Sequence, residues 1–94
     1  MRFELKDYEV EYNKDKQEAV VYKDEIEMIS VGFKKPENIF EIVAGVAICM
    51  VHNGLLKIED IADVMDVCGI PLDAAKEEVN NIRSKGCMAE NLIN

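Results

Sequence analysis

Ninety-four residues are enough for one hydrophobic core and too few for a buried active site plus a separate regulatory domain. Apolar residues at 49% and charged residues at 32% give the balance of a folded globular chain and exclude a disordered one. Nineteen acidic against eleven basic side chains leave a net charge of −8, which repels phosphate backbones and favours basic partners or simple solubility.

The chain starts in the charged, alternating stretch from Arg2 to Tyr12, with no apolar core of a secretory signal. In Tyr8-Glu9-Val10-Glu11-Tyr12 apolar and acidic residues alternate, which predicts a strand with one buried and one charged face. Phe3 and Leu5 fall on the opposite parity, so a bulge or break is expected near Lys6-Asp7. Residues 13–17 form a polar turn, and Glu18-Ala19-Val20-Val21-Tyr22 is rich in strand formers, completing a hairpin. A further strand over 26–31 competes with a loop that leads into a helical turn.

Gly32 to Pro36 breaks this pattern, and Asn38 with Glu41 three residues later resembles a capping box opening a helix to about His52. Asn53-Gly54 supplies its left-handed stop. That helix is apolar nearly all round, so it must be covered on both sides: sandwiched between sheet and later helices, or also used as a homodimer interface over 39–52. Its longest apolar run, Ile42 to Val51, is about half of the roughly 20 residues that a membrane span needs.

A second helix over 58–68 places Ile58, Ile61, Ala62, Met65 and Cys68 on an inner face and Glu59, Asp60, Asp63 and Asp66 outside. Gly69 ends it, Pro71 suits the first position of a third helix, and Gly86 is the expected stop. Asp73 near the start and Arg83 and Lys85 near the end complement the dipole of that helix. The expected fold is therefore α+β: an N-terminal antiparallel hairpin or three-stranded sheet (1–31) packed on three helices (37–88), in a single domain over 1–94.

Residue types that carry chemistry are sparse. Cys49, Cys68 and Cys87 are odd in number and lack C-x-x-C spacing, which excludes a disulfide framework and points to a reducing cytoplasm. His52 follows Cys49 by three residues, but the thiol sits in a dense apolar run, where its pKa stays high and it stays inert. Those cysteines with His52 have the ligand types for zinc without the close pairs that structural sites use. Five isolated glycines form no phosphate-binding loop. The expectation is no enzyme, no metal and no cofactor.

Residues 58–88 resemble the core of a helix-turn-helix or winged-helix domain, through Ile61-Ala62 at the opening, then Ala75, Val79 and Ile82 inside a recognition-type helix, then Ser84-Lys85-Gly86 at its end. The turn from Asp66 to Pro71 is longer than the usual tight one, and eight residues follow Gly86, too few for a wing. The resemblance implies a shape; exposed Asp73, Lys76, Glu77, Glu78, Asn80 and Asn81 are net negative where DNA readers carry cations.

The resulting expectation is a non-catalytic, cytoplasmic module whose acidic face engages a basic protein surface, in the manner of small phage-encoded inhibitors and nucleic-acid mimics. That face consists of Glu59, Asp60, Asp63, Asp66, Asp73, Glu77 and Glu78. The alternative is a dimeric helix-turn-helix regulator or antitoxin that meets DNA through Lys34, Lys35, Lys57, Lys76, Arg83 and Lys85.

Overall fold

The computed structural model describes residues 1–36 and 38–85. Four strands, β1 (Arg2–Leu5), β2 (Tyr8–Asn13), β3 (Glu18–Lys23) and β4 (Ile26–Gly32), form an antiparallel meander in the order β1-β2-β3-β4. Three helices follow, α1 (Ile39–His52), α2 (Ala62–Val67) and α3 (Leu72–Lys85), with a 3-10 turn at Ile58–Ile61 leading into α2. The class is α+β, with one strand more than the three-stranded expectation.

The added strand comes from the parity switch at Lys6-Asp7. It is a chain reversal: Leu5 pairs with Tyr8 and Phe3 with Val10, so residues of opposite sequence parity reach the same face. Lys6 closes that reversal in a left-handed conformation, φ 53°. Between β3 and β4 the two-residue turn Asp24-Glu25 has positive φ at both positions, 51° and 67°, as a turn matching the strand twist requires. The β2–β3 turn is held by the Asn13 side chain, whose Oδ1 accepts from the amides of Asp15 and Lys16 at 3.0 and 3.1 Å. A register shift between Val21 and Tyr22 interrupts the β3–β4 ladder, so that Val21 pairs with Ile29 and Tyr22 with Glu27.

The inner sheet face carries Leu5, Tyr8, Val10, Tyr12, Ala19, Val21 and Val31, all buried. Tyr12 meets the ring of Phe33 edge to face, centroids 5.8 Å apart. These side chains share one core with α1, where Ile42 and residues 44–51 are buried. The helix packs against β4 on one side and against α3, α2 and the 3-10 turn on the other. The sandwiched arrangement expected of an all-round apolar helix is thus met within one chain, and only its first turn, Ile39 and Phe40, stays exposed for a second copy.

Asn38 caps α1 by accepting from the Glu41 amide at 3.1 Å. The helix ends in a paired closure: the Gly54 amide donates to Val51 and that of Leu55 to Met50, at 3.1 and 2.9 Å. Gly54 makes this possible at φ 78°. Gly69 repeats the device after α2, at φ 77°, with Ile70 donating to Met65.

The segment expected as one helix over 58–68 divides into the 3-10 turn and the shorter α2. Asp60 is the reason, because its amide donates to the Lys57 carbonyl at 2.9 Å while its Oδ2 accepts from the Lys57 amide at 3.0 Å, closing a tight first turn. Pro71 lies one residue before α3, and its carbonyl accepts from Ala75. Ala75 and Val79 are buried as the helix-turn-helix resemblance implies. The side chain of Ile82, the stop at Gly86 and Cys87 lie outside the described residues.

Candidate functional site

Of the seven acids expected to form a face, Glu59, Asp63, Asp66, Asp73 and Glu77 are exposed, and none of these five is in an ion pair with a described residue. The 3-10 turn carries Glu59, α2 carries Asp63 and Asp66, and α3 carries Asp73 and Glu77. The other two are placed differently. Glu78 is half-buried and lines a recess on α1 beside Phe40 and Ile48. Asp60 is half-buried and bound to Lys6, Nζ to Oδ1 at 2.7 Å. That hydrogen bond, aided by the Lys57 amide, holds the Asp60 carboxyl below the usual carboxylate range, and Asp60 in turn raises Lys6.

A second acidic surface lies on the outer face of the sheet. Glu4 stands directly opposite Glu9, and Glu11 opposite Arg2. The Arg2 guanidinium turns to Glu9 at 3.1 Å, so one cation serves a run of carboxylates. Asp7, Glu9, Glu11, Asp24 and Glu25 line one concavity together with Arg2 and Tyr22. The alternation in residues 8–12 signals this face, but the strand order that gathers acids from separate turns is not visible until the register is known.

An apolar groove opens where β1, α1 and α2 meet. Phe3 and Leu5, Phe40 and Val43, and Val64 and Val67 line it, with the acids Glu4 and Asp63 and no described basic residue. Phe40 is 49% exposed and Val67 71% exposed. In the sequence Phe40 and Val43 belong to the helix that is apolar nearly all round, and nothing singles out Val67.

The residues considered for covalent or metal chemistry are spread out. Cys49 is fully buried. Cys68 is partly buried, which pushes its thiol pKa up and away from the reactive thiolate. His52 has a buried Nδ1 without a hydrogen-bond partner among the described residues. No group of three or more potential metal ligands occurs among the described residues. No described helix is long and apolar enough to cross a membrane.

Among the cations of the DNA-binding alternative, Lys57 and Lys76 line one cleft with Val51, Ile58 and Val79. Together these features define an α+β protein with an acidic helical surface, an acidic sheet face and one apolar groove. Comparison of the chain with protein-family models, with curated proteins and with solved structures finds no match.

Proposed function

We propose that this chain is a non-catalytic interaction module whose acidic helical surface binds a basic surface on another protein. The observation that carries the reading is the placement of Glu59, Asp63, Asp66, Asp73 and Glu77 in solvent with no described ion-pair partner. Asp60 is the contrast, because its carboxylate is bound to Lys6 and to the Lys57 amide, whereas Glu59, Asp63 and Asp73, each in the first turn of its helical segment, and Asp66 and Glu77 are in no described ion pair. Carboxylates left open produce a field that speeds encounter with a cationic partner and selects against anionic ones. The net charge of −8 extends that field over the whole molecule.

A surface of this kind fits the nucleic-acid groove of a DNA- or RNA-binding protein, where it takes the place of phosphates. A second reading, a regulator that touches DNA, draws on the cleft shared by Lys57 and Lys76.

Affinity capture with the tagged chain from a native lysate, with and without nuclease and at low and high salt, separates the two. The interaction module recovers a nuclease-resistant protein whose retention falls as salt screens the charges. Recovery of nucleic acid that is lost on nuclease treatment favours the regulator and overturns the module.

A further inference from the structure

We infer that the groove between β1, α1 and α2 is an anchor site for an apolar peptide segment flanked by lysine or arginine; this deepens the proposed function by adding a contact that charge alone does not supply. Phe40 and Val67 are 49% and 71% exposed, and Ile39 beside them is 47% exposed. Contiguous apolar side chains from three elements, left open on a small protein, mark a contact surface.

Charge selects the occupant. Among the described residues, the carboxylates lining the groove are Glu4 and Asp63, and no lysine or arginine lines it. A second copy packed groove to groove would add two more carboxylates and no described lysine or arginine to the interface, between molecules of net charge −8 each, and like charges across an interface are unfavourable. A partner segment with apolar side chains for Phe3, Phe40 and Val67 and cations for Glu4 and Asp63 satisfies both halves of the groove. Asp63 also belongs to the acidic helical surface, so one partner can occupy groove and surface together.

The test uses two synthetic peptides of identical leucine and phenylalanine pattern, one with lysine and one with glutamate at every flanking position. Amide chemical shifts of the full chain are followed during titration. The lysine peptide should perturb Phe3, Phe40, Val43 and Val67, and the glutamate peptide should bind at least about tenfold more weakly. Val67→Lys, at a solvent-exposed position, should weaken the lysine peptide by about tenfold or more, and Phe40→Ser should do the same with an unchanged circular dichroism spectrum.

Glu77→Lys lies outside the groove and should leave the groove perturbations in place, so that failure of the helical-surface reading and failure of the groove are seen separately. Equal binding of both peptides, perturbations confined to other surfaces, no binding, or a homodimer that Val67→Lys dissociates would each overturn the inference.

Discussion

The Nζ of Lys6 donates to Oδ1 of Asp60 at 2.7 Å, joining the first turn of the sheet to the 3-10 turn that starts the helical half, 54 residues further along the chain. Asp60 uses its other oxygen to accept from the Lys57 amide. One carboxylate thus fixes a local turn and a long-range contact. Folding lowers the Asp60 pKa, so its contribution is complete above the ordinary aspartate range and is lost as pH falls through the folded value. Folding raises Lys6, whose contribution is complete below the ordinary lysine range and is lost as pH rises through its folded value. Thermal melts should show Asp60→Ala to be more destabilising than Lys6→Ala, because it removes the cap as well. The acid-side loss of stability should be shallower in Asp60→Ala than in the parent.

Met50 is fully buried where α1 faces the rest of the core, and Met65 is fully buried on α2. Met50→Ala should cost about 2–5 kcal/mol in denaturant unfolding. Val67→Ala, at an exposed position on the same helical half, should change stability by less than about 0.5 kcal/mol. Similar costs at the two positions would contradict the placement of the core.

Asn38 supplies the cap of α1 through its Oδ1. Asn38→Ala should cost about 1 kcal/mol, and Asn38→Asp should keep most of the parent stability because it retains an acceptor for the Glu41 amide. Equilibrium urea unfolding measures both.

Glu25 holds a left-handed conformation at φ 67° in the turn between β3 and β4. A side chain pays for that conformation and glycine does not, so Glu25→Gly should raise stability by about 0.5–1 kcal/mol. A loss of stability in the same unfolding assay would count against the turn geometry.

Much of this architecture was readable from residue order. The alternation of Tyr8 to Tyr12, the Asn38 cap and the stops at Gly54 and Gly69 are local signals, and each corresponds to a feature of the fold. Lys6-Asp7 was legible as an interruption but not as a turn, because a bulge and a hairpin both switch parity and only the pairing of Leu5 with Tyr8 separates them. The break after Ile61 was hidden for a similar reason: the inner-face spacing of Ile58, Ile61 and Met65 suits one helix, and the backbone bond between Asp60 and Lys57 decides otherwise.

Of the candidate site, the acidic residues of α2 and α3 follow from helical periodicity. Glu78 and Asp60 could not be set apart from them, since what turns each one inward comes from α1 and from β1–β2. The groove was less legible still, because Phe3, Phe40 and Val67 are brought together by tertiary packing alone.

The central claim is tested most directly by the affinity of the captured protein partner for the parent chain and for a triple variant, Glu59→Lys, Asp66→Lys and Glu77→Lys, across a series of salt concentrations. These three acids are exposed, one on each helical segment from the 3-10 turn to α3, so the fold should persist in the variant. The parent should bind more weakly as salt rises, and the variant should lose at least about tenfold in affinity at low salt. Equal affinity of the two proteins, with no dependence on salt, would contradict an acidic interaction surface.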